Sequence, residues 1–154
     1  MSQPTLTCEG IAAALFGLLS GLSGVRVSSR RLLHWSDVPP EECPAIFLSV
    51  GKQTLKNDEN GLPVVSTFDY VADLYVHSED PTTVPSTLLN TYLEEIKAAL
   101  QPVPMGPPGF PGSLQVLGDT TGRIRHAWIT DVETDEGVLG PRAIATVHIE
   151  VELA

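Results

Sequence analysis

Residues 142–153 alternate between apolar and polar side chains, interrupted only by Ile144 on the polar side, and no other pattern in the chain constrains its fold as tightly. Ala143, Ala145, Val147, Ile149, Val151 and Leu153 fall on one side; Arg142, Thr146, His148, Glu150 and Glu152 fall on the other. A period of two predicts a strand with one buried face. Residues 123–133 are expected to pair with it across a turn near Gly137-Val138. In that register Arg125 lies opposite Glu150 and Arg123 opposite Glu152, and Ile124, Trp128 and Val132 join the apolar face. Opposite charges across a strand pair contribute about 0.2–1 kcal/mol each, so core, rim charge and turn agree on one hairpin. His126 falls on the apolar face beside Trp128 and reads as a hydrogen-bonded core histidine rather than a ligand.

A second hairpin precedes it. Residues 45–56 read as a strand, Asp58-Glu59-Asn60-Gly61 as a turn and residues 64–78 as a long returning strand. With the turn centred between Glu59 and Asn60, Phe47 faces Ala72, Leu48 faces Val71 and Ile46 faces Asp73. Phe47, Phe68, Tyr70 and Leu74 then share one face, and Ile46, Leu48, Val50, Val71 and Tyr75 the other. A sheet apolar on both faces needs cover on both.

Two helices supply cover. Thr7 is placed to cap a helix over residues 8–22, with Glu9 in the first turn favoured by the helix dipole. Ile11, Leu15, Leu18, Leu19 and Leu22 follow helical spacing, and the alanines between them leave little polar face. Gly17 and Gly21, four residues apart, offer a flat side for close approach. Pro85 suits the first turn of a second helix reaching Gln101, with Leu89, Leu93, Ile96 and Leu100 as its apolar stripe. Residues 25–35 form a short strand or arm, and the proline-bearing segment 36–44 a loop. Residues 102–113 hold five prolines and three glycines, which excludes a helix or a central strand there. The expected fold is therefore one α+β domain over 1–154. It has a mainly antiparallel sheet of four to five strands, two helices on one face and an extended loop at 102–113. Leu15, Leu19, Phe47, Leu93, Ile96, Trp128, Val147 and Ile149 are expected in the core.

Charge and composition narrow the function. The 154 residues carry 9 Lys+Arg against 19 Asp+Glu, a net charge of −10, which argues against a surface that grips phosphates. Hydrophobic residues make up 42%, enough for a packed core, while charged residues reach only 18%. So few charges suggest that part of the surface is covered by other subunits. The apolar run 11–25 lacks the basic flank of a signal peptide and is too short to span a bilayer, so no membrane association is expected. Cys8 and Cys43 stand 35 residues apart and read as inert thiols of a reducing compartment.

Chemistry-bearing motifs are missing. No nucleophile elbow, zinc-protease helix, phosphate loop or dinucleotide fingerprint occurs. Asp131, Glu133, Asp135 and Glu136 resemble a calcium loop, but the glycine comes one position late at Gly137 and Arg142 occupies the twelfth position. The segment reads as a solvated acidic turn. His77 with Glu79 and Asp80 is the one acid–base candidate, and it reads better as a charge cluster at a loop entry. Neither a catalytic residue, a metal nor a cofactor is expected. Arg30-Arg31 is the one basic dipeptide, too small for a phosphate patch and suited to a protein contact.

The order of these motifs resembles the tail terminator (tail completion) proteins of long-tailed bacteriophages. The resemblance rests on the leading apolar helix, the segment VRVSSRRL, and Pro44-Ala45-Ile46-Phe47-Leu48 opening a strand. It extends through Leu74-Tyr75-Val76-His77-Ser78, the helix bearing Leu88-Leu89-Asn90 and Ile96, and Leu117-Gly118. The closing strand Ala145-Thr146-Val147-His148-Ile149-Glu150-Val151 completes it. The resemblance implies a virion protein of the tail or neck, assembled in the host cytoplasm. Its hexameric ring would cap the tail tube, end tube polymerisation and meet the head–tail connector. The implied partners are further copies of itself, the tail tube protein and the connector protein, with DNA passing through without specific binding. Gly17, Gly21, Arg30 and Arg31 are the residues expected at subunit or partner interfaces. The alternatives are another neck or connector subunit, a small-ligand-binding α+β domain, or an enzyme using His77.

Overall fold

The computed structural model describes residues 4–57, 59–61, 63–80, 82, 84–104, 114–136 and 141–154. Helix α1 spans Cys8–Ser20. The Thr7 hydroxyl caps it by accepting the Gly10 N–H at 3.0 Å. Gly10 is required here, because a Cβ would sit 2.2 Å from the Thr5 carbonyl oxygen. Strand β1 (Val27–Ser29) follows, then β2 (Ala45–Asn57) and β3 (Pro63–His77). Helix α2 (Pro85–Ala99) leads to the short strands β4 (Val103–Pro104) and β5 (Leu114–Gln115), which pair with each other. Strands β6 (Ile124–Glu136) and β7 (Arg142–Leu153) close the chain. The main sheet has five strands in the order β1-β2-β3-β7-β6, all neighbours antiparallel except β1 with β2. This is the expected α+β architecture. Most of the 102–113 loop and the Gly137-Val138 turn lie outside the described residues.

Both helices pack on one face of the sheet. Ile11, Leu15 and Leu19 of α1 and Leu89, Leu93 and Ile96 of α2 close over Ile46, Leu48, Tyr70, Leu74, Val147 and Ile149 in one cluster. Tyr70 is fully buried there, and its hydroxyl donates to the Cys8 carbonyl at 2.9 Å. Burial pushes its phenol well above the usual tyrosine range. At one end of the opposite face, Phe47 and Tyr75 pack with Val38, Cys43 and Ala45. The cover comes from two short 3₁₀ turns, Trp35–Asp37 and Pro40–Glu42, in the segment expected as loop. Arg142 pins that segment by donating to the Trp35 carbonyl at 2.6 Å and the Val38 carbonyl at 2.8 Å.

Both hairpin registers differ from the sequence expectation, and bulges explain the larger change. In the first hairpin Phe47 pairs with Asp73, Leu48 with Ala72 and Ile46 with Leu74. Ile46 and Leu48 therefore share the helix-covered face with Phe68, Tyr70 and Leu74, whereas Phe47 and Tyr75 share the other. A bulge follows where Gly51 and Lys52 oppose Asp69. In the second hairpin β6 is irregular between Ile124 and His126 and again between Ile129 and Asp131. Each extra residue reverses which side chains face inward. Ala127 and Ile129 thus enter the helix-covered face in place of His126 and Trp128. Trp128 is not a core residue: it is 52% exposed. Arg125 meets Glu152 at 3.7 Å rather than Glu150, and Arg123 donates to the Ala154 carbonyl rather than to a glutamate.

Asp119 is the one buried charged side chain among the described residues, at 1% exposure. Its carboxylate accepts from the Thr121 hydroxyl and N–H at 2.6 and 3.0 Å and from the Ile124 N–H at 2.9 Å. These bonds tie the β5–β6 connection to the start of β6.

Candidate assembly surfaces

The two ends of the sheet present different surfaces. At the β1 end, the outer side of α1 is bare. A Cβ at Gly17 would meet nothing within 4 Å, and one at Gly21 only carbonyls of its own helix. Arg30 follows β1 and forms a two-pronged ion pair with Glu9 in the first turn of α1; its second nitrogen lies 3.0 Å from Oε2. The Arg30 guanidinium holds the Glu9 carboxyl below its ordinary range. Arg30 thus docks the arm onto α1 within its own chain. Arg31 is exposed beside it. Leu32 and Leu33 follow at 51% and 39% exposure, fixed by a hydrogen bond from the Tyr75 hydroxyl to the Leu33 carbonyl at 2.7 Å.

At the other end β6 is the sheet edge. A groove of about 460 Å³ runs between it and the C-terminal end of α2, lined by Lys97, Leu100, Pro102, Ala127, Trp128 and Ile129. The Trp128 ring lies flat on His126, with centroids 3.6 Å apart. His126 in turn is bracketed by Glu150 at Nε2 and Glu152 at Nδ1, each at 3.2 Å. His126 is therefore hydrogen-bonded but on the polar rim, not in the core. Strict alternation placed these two residues on the wrong side, so it hid the groove wall that they build. Their aromatic and charged character, on the edge strand of an acidic chain, is the signal that survives in the sequence.

The polar half of the open sheet face lies between these ends. Asp73 accepts from the Thr146 hydroxyl at 3.0 Å, and burial raises its carboxyl above the ordinary range against that bond and the nearby His148. Asp131, Glu133 and His148 stand together farther toward β6.

The acid–base candidate comes together in part. His77 meets Glu79 at 3.4 Å, while Asp80 accepts from the Thr82 N–H and hydroxyl and so shapes its own turn. Cys8 and Cys43 are both free thiols. Cys43 is buried, and desolvation pushes its thiol up, away from the reactive thiolate. No helix among the described residues is long and apolar enough to cross a membrane.

No protein-family model matches the chain, and no curated protein matches it. Among solved structures, a chain in the virion of a native gene transfer agent (GTA) particle superposes with a TM-score of 0.54. The match covers 97% of this chain and 98% of that one at 13% sequence identity. At that identity the likeness is one of fold, and it extends from end to end: this chain shares the architecture of a virion-particle protein.

Proposed function

We propose that the chain is a structural virion subunit, a tail terminator whose ring caps the tail tube, ends its polymerisation and presents a surface to the head connector. The observation that carries this reading is the near-complete overlap with a chain of a gene transfer agent virion, 97% and 98% of the two lengths. The surfaces agree with it physically. A ring needs two different patches per subunit, one meeting the other on the next copy. The β1 end offers the bare side of α1 at Gly17 and Gly21, with Arg31, Leu32 and Leu33 beside it. The β6 end offers an apolar groove of a size to take such side chains. In this arrangement Arg30 acts indirectly, since its charge is spent on Glu9 in holding the arm. The acidic sheet face suits a passage for DNA that must not bind it.

The test uses tail tube protein from the same particle. Added to polymerising tubes, this chain should stop growth, and negative-stain micrographs should show a ring at one tube end. The double variant Gly17→Leu/Gly21→Leu should keep its far-UV circular dichroism and lose capping. Tubes that lengthen unchecked in the presence of the wild-type chain would refute the proposal.

A further inference from the structure

Three metal-ligating side chains converge on the open face of the sheet. Asp131 and Glu133 lie two apart on β6 and so project to the same side. His148 on β7 is the direct register partner of Asp131, which puts its ring on that side too. One ligand atom from each residue lies within 4.8 Å of the others. We infer that this trio binds a first-row divalent transition-metal ion of the zinc type.

Three observations support the assignment. First, none of the three side chains makes a hydrogen bond or ion pair with another described residue, so their donor atoms are unspent. Two carboxylates side by side without a cation repel each other. A divalent ion would reverse that repulsion. Second, the donor set is mixed. One imidazole nitrogen with two carboxylate oxygens suits zinc, cobalt or manganese better than calcium or magnesium, which take oxygen almost exclusively. Third, the chain holds a control of like composition. His126 also stands beside two glutamates, but Glu150 and Glu152 sit at opposite ring nitrogens. No single ion can touch all three groups there. Around His148 the donor atoms share one small volume. A tetrahedral ion with bonds of about 2.1 Å sets its ligands about 3.4 Å apart, within reach of small rotamer changes from the present spacing. Three protein ligands leave at least one coordination position open to water or another group.

The linear sequence conceals this site. A calcium-loop search over Asp131, Glu133, Asp135 and Glu136 fails, and the histidine that completes the set arrives only through the β6–β7 register. The inference is independent of the proposed role in a tail.

Isothermal titration calorimetry of the untagged, metal-free full chain with zinc chloride tests it, with the visible absorption of the Co²⁺ form as a second readout. One ion per chain is expected, with Co²⁺ bands of a tetrahedral or five-coordinate site. Removing a partner outside the first coordination sphere already weakens metal binding about tenfold. His148→Ala and Glu133→Gln should therefore each weaken it by at least that much, whereas His126→Ala should leave it unchanged. Glu133 is exposed, so its variant tests the site at a second ligand without touching the half-buried His148. No uptake, or uptake equal in wild type and both ligand variants, would overturn the assignment.

Discussion

The two faces of the central sheet are built on opposite rules. Under the helices, Tyr70, Leu74, Val147 and Ile149 are at most 1% exposed and form one continuous apolar layer. On the other face the apolar layer is confined to one end, where Ile144 joins Phe47 and Tyr75, and beyond it toward β6 the strands present Asp73, Thr146, His148, Asp131 and Glu133. The covered face supplies the main apolar core. The open face carries carboxylates that the domain does not need for its core, which leaves them free for other work. The same strand β7 serves both, because successive side chains of a strand point to opposite sides.

Substitutions on neighbouring β7 positions should break this contrast most visibly. Ile149→Ala removes a fully enclosed side chain and should cost about 3–4 kcal/mol in chemical denaturation. His148→Ala, one residue away on the open face, should stay within about 0.5 kcal/mol of wild type. Equal losses at the two sites would mean that the open face is also core. Tyr70→Phe probes the covered face more gently. It leaves the ring in place and strips one hydrogen bond from the Cys8 carbonyl, so a loss of about 1 kcal/mol is expected in the same assay.

The smallest expected effects have opposite signs with pH. Burial raises the Asp73 carboxyl in the folded protein, so the folded state holds that proton more tightly than the unfolded chain does. The resulting penalty is present at neutral pH and fades as pH falls through the raised folded value toward the ordinary aspartate range. Asp73→Asn should therefore raise Tm at pH 7 and lose that advantage near pH 3. Glu9 behaves in reverse. Its carboxyl is lowered by Arg30, so the ion pair contributes above the ordinary glutamate range and is lost as pH falls through the lowered folded value. Glu9→Gln should lower Tm slightly at pH 7 and have no effect once both carboxyls are protonated. Thermal melts at the two pH values decide both signs.

Much of this architecture is legible in the sequence because it rests on local signals. The alternation of 142–153, the Thr7 cap and the Leu89-Leu93-Ile96 stripe each specify their own element. What the sequence hides depends on context. Bulges at Arg125 and Thr130 are tolerated because β6 is an edge strand, and edge position is a property of the finished sheet. Once they are in place, Trp128 leaves the core for the groove wall, and Asp131 meets His148. The burial of Asp119 escapes periodicity for another reason: its partners lie only two and five residues on, and they become donors only when the β5–β6 connection has folded back. The interface roles proposed for Gly17, Gly21 and Arg31 depend on a second copy, which no local signal in one chain describes.

Sedimentation velocity of the purified chain across a wide concentration range tests the ring account most directly. The account predicts a closed species of about 99 kDa, six times the 16.5 kDa chain, growing at the expense of monomer without larger open polymers. A chain that stays monomeric at every concentration, and also when mixed with tail tube protein, would contradict it.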